Sequence, residues 1–343
     1  MTARILAPRI LPRFGTPADA LHAGPLLPVQ RLADARPAGG PVSGAIPLVS
    51  HTGVRRARWG GLQGLERLAV AGLGERAGLV RLVATAAFRS ELEALARTRP
   101  AAIAVLGGDG TARTALEVLT PLGIPVVPLP GGTLNRLSRL VYGQGSARAI
   151  LKRVAAGGRA QPLAGARLGP HRFFVACGFG AAMGLHGVRE ALRRGAPGAA
   201  LQAFRQAARG LFAPRVLVAE AGHLSGAARA PVQMAVVAVG PMAPAFGLPA
   251  PARPAPGQGG LELVAASAGG WWQLAGLVPH ALAGSWPRVQ GVARAACDEV
   301  RLVAHDGHGW GGPVPGLLDG EPTVLDGEAV ILFDPACGLV MAA

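Results

Sequence analysis

The sequence has few cysteines, and their spacing is not that of a metal centre. Cys177, Cys297 and Cys337 are the only three in 343 residues, and no CxxC pair occurs. A structural zinc site is therefore not indicated. An odd number of widely separated cysteines also argues against a disulfide framework and favours a reducing, cytoplasmic compartment. We expect all three to be buried as small apolar side chains.

Lysine is almost absent, and aromatic residues make up only 4% of the chain. Arginine supplies nearly all of the positive charge, because Lys152 is the single lysine and the net charge is +15. Such a charge attracts nucleotide phosphates, nucleic acid or an acidic membrane surface. The basic residues are scattered, with no zinc finger, no RNP-like aromatic pattern and no basic heptad region. These absences predict that nucleic acid is not a partner.

Long apolar runs are also missing. No stretch reaches the roughly 18 to 20 apolar residues that a membrane span needs, and residues 1–42 lack the apolar core of a secretory signal. We interpret residues 1–42 as a disordered extension or as translation from an upstream start codon. No GxSxG elbow or HExxH sequence occurs, so the motifs of serine hydrolases and of zinc proteases are absent.

In the first half of the chain, apolar runs that predict strands alternate with segments of helical spacing. Strands are expected at Ile46–Ser50, Leu79–Ala84, Ala101–Leu106 and Ile124–Leu129. Helices are expected at Leu62–Leu73, Glu91–Arg99, Ala112–Leu119, Thr133–Tyr142 and Ala147–Ala156. Ser90 and Glu93 have the spacing of a capping box at the start of the second helix. The alternation predicts a parallel sheet with helices on both faces.

After about residue 160 the pattern changes to strands, with two helical segments. The strands are expected at Phe173–Ala176, Arg215–Ala219, Val232–Val239, Leu261–Ala265, Val300–Val303 and Ala329–Phe333. We therefore predict an α/β domain at 43–160 and a β-rich, sandwich-like domain at 161–335. A last strand, at 336–343, is expected to return to the first domain.

The segment GGDGT, at residues 107–111, follows one predicted strand and precedes a predicted helix. Its glycines let the backbone turn sharply and approach a ligand closely. The helix start offers free backbone N–H groups, which suit a phosphate. Asp109 can orient a hydrated Mg²⁺ or a ligand hydroxyl, and Thr111 can cap the helix or bond a phosphate oxygen. The alternative for this segment is an ordinary tight βα turn.

A second glycine turn, PGGTLN at residues 130–135, also joins a predicted strand to a helix. Neighbouring βα turns of a parallel sheet open at the same carboxyl edge, which is where ligands bind. Two such turns can hold one polyphosphate chain between them. Thr133 can also serve simply as a helix N-cap, so this motif is informative only together with the first.

The order GGDGT and then P-x-G-T-x-N resembles the catalytic domain shared by diacylglycerol kinases, sphingosine kinases and bacterial lipid kinases. GGDGT also occurs in NAD kinases, and the Gly-Thr-Leu-Asn at 132–135 favours the lipid-kinase branch. The resemblance runs from about residue 46 to the C-terminus. It implies a nucleotide-binding catalytic domain at 43–160 and a lipid or substrate domain at 161–335. It also implies ATP and Mg²⁺ as cofactors and a lipid hydroxyl, such as that of diacylglycerol, as acceptor.

Near the C-terminus, Asp319-Gly320-Glu321 resembles the DGE motif of the same family. By that resemblance Asp319 is the general base on the lipid hydroxyl, and Glu321 contacts the nucleotide or the hydroxyl. Asp-Gly is also a common hairpin pair, so a β-turn is the alternative. A second copy, at 326–328, leads directly into an apolar run and is predicted to be a turn.

The predicted catalytic residues are Asp319 and Asp109, and Asp109 is also predicted to contact the metal through water. The predicted ATP contacts are Thr52, Gly107, Gly108, Asp109, Gly110, Thr111, Gly132, Thr133, Asn135 and Glu321. The partners that follow are a lipid substrate at a membrane surface and anionic lipid headgroups. The protein is then expected to be cytoplasmic and peripherally membrane-associated. Its oligomeric state stays open, a homodimer being one option.

Three departures from the family pattern matter, and one of them is Arg136, which stands where the family often has an aspartate after Gly-Thr-x-Asn. Where the family has N-P-x-S-G, this chain has Val49–Gly53, in which Thr52 replaces the serine and the asparagine is missing unless Ser50 substitutes in a shifted register. Where the family has D-G-x-L, Gln258 replaces the aspartate. Two alternatives therefore stay open: a kinase for a soluble acceptor such as NAD, and a nucleotide- or lipid-binding homologue with weakened catalysis.

Overall fold

The structure is a computed structural model, and the residues it describes lie in one compact unit, Pro37–Ala343. The extension predicted at 1–42 lies outside the described residues. These are 44–132, 135–180, 191, 195–196, 198–199, 201–202, 205, 217–221, 230–240, 242–245, 248–251, 260–266, 292–304 and 313–342.

Four parallel strands form the first part of the larger sheet, in the order β2-β1-β3-β4. They are β1 (Ile46–His51), β2 (Ala77–Val83), β3 (Ile103–Gly107) and β4 (Val126–Pro130). The helices that accompany them are α1 (Arg55–Leu73), α2 (Phe88–Ala96), α3 (Asp109–Leu119), α4 (Arg136–Tyr142) and α5 (Ala147–Gly157).

Strand β3 shows how this sheet is buried on both faces. Ile103 and Val105 belong to the apolar cluster that includes residues of α2 and α3. Ala104 and Leu106, which point the other way, belong to the cluster that includes residues of α1 and α5. Successive side chains of a strand point to opposite faces. The unbroken apolar run therefore contacts helices on both sides, as expected for a parallel sheet.

The start of α2 differs from the sequence prediction. The helix begins at Phe88, and Ser90 lies inside it with its Oγ donating to Ala87 O at 2.9 Å. The predicted capping box of Ser90 and Glu93 is therefore wrong. Phe88 is only 4% exposed, and burying a side chain of that size stabilises the earlier start more than a cap would.

The sheet continues past β4 through one long strand, β18 (Glu328–Ala342). Near its end β18 pairs parallel with β4, at Val340 and Val126, and its first half pairs antiparallel with β15 (Glu299–Val303). The remaining strands of this sheet are β5 (Arg159–Leu168), β6 (His171–Phe173), β8 (Leu217–Ala221) and β9 (Ala230–Val232). Over the described ranges they extend it to ten strands, and the pairings that they make there are antiparallel.

A second, antiparallel sheet has the order β14-β13-β10-β7-β16-β17. Its strands are β7 (Ala176–Gly180), β10 (Met234–Val239), β13 (Leu261–Ala266), β14 (Val292–Cys297), β16 (Val314–Leu318) and β17 (Glu321–Leu325). A separate hairpin pairs β11 (Met242–Ala245) with β12 (Leu248–Pro251).

The second sheet packs on the antiparallel part of the first. Phe179 and Val237 of one sheet and Leu302 and Ile331 of the other share a single buried cluster. Burial of such side chains on facing sheets is what holds a sandwich together. The predicted fold class, a helix-covered parallel sheet followed by a β-rich, sandwich-like domain, is confirmed. The domain boundaries given above stay predictions.

The three cysteines are free and buried, as the sequence predicts. Burial raises the pKa of Cys297 and of Cys337 to about 12, with nearby acidic residues acting in the same direction. The thiols are therefore protonated and unreactive at neutral pH. Within the described part of the chain, no helix combines the length and apolarity needed to cross a membrane.

Candidate functional site

The two glycine turns lie side by side at the carboxyl edge of the parallel sheet. The register of β3 and β4 pairs Gly107 with Pro130, so both strands end at the same level. Gly107 O accepts hydrogen bonds from Gly131 N at 2.8 Å and from Gly132 N at 3.1 Å. The pairing that the sequence predicts for these turns is present as direct backbone contact.

Glycine is required where the turns touch. A Cβ on Gly132 would lie 2.6 Å from Gly108 Cα, and one on Gly131 would lie 2.9 Å from Gly107 N. Real Cβ atoms essentially never approach backbone this closely. The turns are therefore closer together than any other residue type permits at these positions.

Asn135 holds the second turn closed. Its Oδ1 accepts from Gly132 N at 2.7 Å, and its Nδ2 donates to Gly132 O at 2.9 Å. Its backbone is left-handed, with φ of 49°, a conformation that asparagine tolerates better than most residues. The side chain predicted to contact ATP thus bonds the turn itself. Thr133, another predicted contact, lies outside the described residues.

Asp109, the first residue of α3, connects the two motifs. Its Oδ1 accepts from Leu137 N, in the first turn of α4, at 2.8 Å. It thereby does the work of a helix cap for α4, whose own N-cap residue makes no side-chain capping bond. Burial raises the pKa of Asp109, while the backbone N–H groups of Leu137 and Arg136 and the charges of Arg136 and Arg139 oppose the rise.

Thr111 and the segment after β1 meet at the same edge. The Oγ1 of Thr111 lies 3.0 Å from His51 Nε2, and a Cβ on Gly107 would lie 2.4 Å from Thr111 Cβ. Thr52 donates its N–H to Val83 O at 2.9 Å, which fixes the backbone beside β2. Ser50 is fully buried and donates to Leu106 O at 2.8 Å, so its hydroxyl faces the sheet interior.

The Asp319-Gly320 pair forms the tip of the β16–β17 hairpin, with φ of 49° and 90°. The Asp319 carboxylate accepts three backbone N–H groups, from Phe174 at 2.8 Å, Val175 at 2.9 Å and Ala176 at 3.0 Å. Burial raises its pKa to about 6, against the opposing effect of these three bonds and of Arg113. Asp319 is therefore both a residue of the hairpin turn and a carboxylate held by three backbone N–H groups.

Glu321 brings this hairpin onto the first glycine turn. A Cβ on Gly110 would lie 1.8 Å from Glu321 Oε1, so the carboxylate rests directly on that glycine. Its other oxygen forms an ion pair with Arg113 Nη2. Arg113 Nη1 lies 3.7 Å from Glu117 Oε1, one turn further along α3. The hairpin is therefore tied to α3 through alternating charges.

Two residues that the sequence did not single out take part in this arrangement. Arg113 lies two positions after Thr111 on α3, with a side chain only 11% exposed and a buried Nε that finds no hydrogen-bond partner among the described residues. His51 ends β1, and its imidazole contacts Thr111. Burial lowers the pKa of His51, while Glu321 opposes this. The one available sequence signal for His51 is its position at the carboxyl end of a parallel strand.

Six of the predicted nucleotide contacts are thus brought together at this edge of the sheet, and Asp109 and Asn135 bond the framework that holds them. The six are Gly107, Gly108, Gly110, Thr111, Gly132 and Glu321. Within the described ranges, no three His, Cys, Asp or Glu side chains approach one another closely enough to hold a metal ion. Asp109 and Glu321 are the two predicted carboxylates that lie at the first glycine turn.

Part of the sequence matches a kinase family. Residues 73–159, which contain both glycine turns, match the family described as ATP-NAD kinase N-terminal domain. No curated protein matches the chain significantly.

Solved structures resemble most of the chain. A diacylglycerol kinase from Bacillus anthracis str. Sterne superposes with a TM-score of 0.56 at 13% identity, covering 87% of this chain and 97% of that one. The fold is that of the diacylglycerol kinases. Two further structures of proposed diacylglycerol kinases from the same organism, at 13% and 15% identity, give TM-scores of 0.58 and 0.57 with the same coverage.

The resemblance inferred from the motifs is confirmed at the level of this diacylglycerol kinase-like fold. Together the family match and the shared fold support a kinase. The matched region ends at residue 159. It therefore includes the glycine turns and excludes Asp319 and Glu321, which belong to the β16–β17 hairpin.

Proposed function

We propose that this protein is an ATP-dependent kinase that phosphorylates a hydroxyl group of diacylglycerol or a related lipid. The observation that carries the proposal is the contact between the two glycine turns, where Gly107 O accepts the N–H groups of Gly131 and Gly132. Glycine turns at the carboxyl edge of a parallel sheet suit the phosphates of a nucleotide.

The phosphate-binding groups are drawn from both turns. The backbone N–H groups at the start of α3 point toward the carboxyl edge, where the positive end of the helix dipole favours an anion. Gly108, where an added Cβ would meet only Gly132 Cα at 3.6 Å, leaves the backbone accessible to phosphate oxygens, and the Thr111 hydroxyl adds a side-chain donor. Asn135 and Asp109 act on the framework by holding the second turn and α4 in place.

The residues at the turns fit a magnesium ion held mainly by the nucleotide. When bound, Mg²⁺ would neutralise charge on the phosphates. Asp109, which lies within the first turn, would supply a carboxylate, and one of its oxygens already accepts from Leu137 N. The other Asp109 oxygen would then reach the ion through water, because Mg²⁺ usually keeps several of its waters.

Asp319 is proposed as the general base that accepts the proton of the lipid hydroxyl. An ionised carboxylate has about four acceptor positions, and three backbone bonds leave one for the substrate. A pKa of about 6 places the group ionised yet basic at neutral pH. Glu321, which rests on Gly110, is proposed to contact the nucleotide or the hydroxyl beside that base.

An apolar acceptor would be reached at a membrane surface. The net charge of +15 favours association with anionic lipid headgroups. The proposal therefore includes a peripheral membrane association from the cytoplasmic side. The same proposal assigns nucleotide binding to the domain at 43–160 and lipid binding to the domain at 161–335.

The test is transfer of radiolabel from γ-labelled ATP to a mixed lipid extract in the presence of Mg²⁺. Wild-type protein should label a lipid, whereas Asp109→Ala and Asp319→Ala should each lose most of the activity. Full activity in both variants would show that the site is placed wrongly. Binding of ATP without any labelled lipid would favour the weakened homologue, which is consistent with the missing asparagine at 49–53.

A second candidate function is a kinase for a soluble acceptor such as NAD. It is favoured by one observation, the match of residues 73–159 to the ATP-NAD kinase N-terminal domain. The same assay with NAD in place of lipid separates the two. Labelled NADP with no labelled lipid would replace the lipid proposal.

A further inference from the structure

The imidazole of His51 occupies a fixed position at the edge of the glycine turn. His51 is the last residue of β1, and its ring lies edge-on to Phe88, with ring centroids 5.2 Å apart and planes at 62°. Phe88 is itself 4% exposed and anchors the start of α2. The ring is therefore held by packing as well as by hydrogen bonds, and its two nitrogens point to defined partners.

Those partners determine which nitrogen carries the proton. Gly53 N lies 3.2 Å from Nδ1, and because a backbone N–H can only donate, Nδ1 must present a lone pair. Thr85 Oγ1, also 3.2 Å from Nδ1, can donate to the same lone pair. In a neutral imidazole the proton then resides on Nε2. Nε2–H accordingly donates to Thr111 Oγ1, which lies 3.0 Å away.

This donation leaves the hydroxyl hydrogen of Thr111 available. Thr111 packs against Gly107 so closely that a Cβ on the glycine would lie 2.7 Å from Oγ1 and 2.4 Å from Cβ of the threonine. The threonine side chain therefore lies directly over Gly107, with its oxygen beside His51. A hydroxyl that accepts one hydrogen bond is also polarised toward donating another.

We propose that His51 is a positioning residue, whose Nε2–H orients the Thr111 hydroxyl so that its hydrogen points to a nucleotide phosphate. This role rests on the proposed kinase function, since it needs a phosphate at the GGDGT turn. It assigns a task to a residue in the segment 49–53, which departs from the family pattern. An imidazole at the end of β1 there contacts the glycine turn directly.

Two amide substitutions separate the two ring nitrogens. The amide nitrogen of His51→Gln lies near the position of Nε2 and can still donate to Thr111. The amide of His51→Asn lies near Nδ1, so its oxygen can accept from Gly53 N but its nitrogen cannot reach Thr111. We expect His51→Gln to bind Mg-ATP within about threefold of wild type and His51→Asn to bind about tenfold more weakly, as loss of one hydrogen bond implies.

The affinity is measured on the full chain by calorimetry, and thermal unfolding confirms that each variant is folded. His171→Gln, which removes an exposed histidine on β6, is the matched control and should bind like wild type. Equal losses in His51→Gln and His51→Asn would overturn the proposal, because only the amide of His51→Gln can still donate to Thr111.

The tautomer of His51 is read independently of nucleotide binding. Long-range ¹H–¹⁵N spectra of histidine-labelled protein should show the Nε2–H form for the signal that disappears in His51→Gln. An Nδ1–H form would overturn the inference whatever the affinities are. A wild-type chain with the Nε2–H form that binds no nucleotide would instead refute the proposed function, and the role of His51 toward a phosphate would fall with it.

Discussion

Replacing Gly132 by alanine tests whether the contact between the glycine turns matters. The new Cβ would lie 2.6 Å from Gly108 Cα, about 0.8 Å short of the 3.4 Å at which ordinary contact begins. The obstacle is backbone, so no side chain can rotate away. The two turns must therefore separate.

Separation lengthens the one of the two Gly132 N–H hydrogen bonds that joins the turns. The two bonds measure 3.1 Å to Gly107 O and 2.7 Å to Asn135 Oδ1, and the first would exceed ordinary hydrogen-bond distance. Overpacking at a tight site typically costs about 1–3 kcal/mol. We expect Gly132→Ala to lower the free energy of unfolding by that amount and to weaken Mg-ATP binding about tenfold.

The assay combines urea denaturation with calorimetric titration of Mg-ATP. Gly64→Ala is the matched control, since a Cβ there meets nothing within 4 Å and the residue lies inside α1. That control should be more stable by about 0.5–1 kcal/mol, because alanine is the better helix former. If Gly132→Ala has the same free energy of unfolding and the same ATP affinity as wild type, the contact between the turns is not what forms the site.

Three further predictions follow from the same contacts. Asp109→Ala should lower the free energy of unfolding by about 0.5–2 kcal/mol, because the Leu137 N–H loses its acceptor. Asp109→Asn keeps an amide oxygen as acceptor and should retain most of the wild-type stability. Urea denaturation at pH 7 compares the two variants with wild type. A double-mutant cycle on Arg113 and Glu321 should give a coupling below about 1 kcal/mol, since the Glu321 side chain is 47% exposed, and a larger value would contradict this. Burial raises the pKa of Asp319 to about 6 from 3.8, so the folded chain keeps this proton to a higher pH than the unfolded chain. The free energy of unfolding of wild type should then fall, relative to that of Asp319→Asn, as pH rises from about 4 to about 6. If the two plots of unfolding free energy against pH run parallel, the pKa of Asp319 is not raised in the folded chain.

The sequence by itself determined the order of strands and helices and the edge of the sheet at which the two glycine turns lie. Apolar runs separated by helical segments specify a parallel sheet covered on both faces, and the clusters around β3 match that pattern. Two glycine motifs after consecutive strands must then open at one edge. Their contact through Gly107 and Gly132 follows from the register of adjacent strands, which the alternation of strand and helix already implies.

Only the tertiary structure decided which side chains complete that site. His51 contacts Thr111 across 60 positions of sequence, and Arg113 pairs with Glu321 across 208. Such contacts depend on how the sheets and the hairpin pack, and local patterns carry no information about that packing. Ser90 likewise is no helix cap, because α2 begins two residues earlier, at the buried Phe88. The three backbone N–H groups that bond the Asp319 carboxylate likewise come from residues 174–176, which are distant in sequence and lie beside the hairpin tip in the fold.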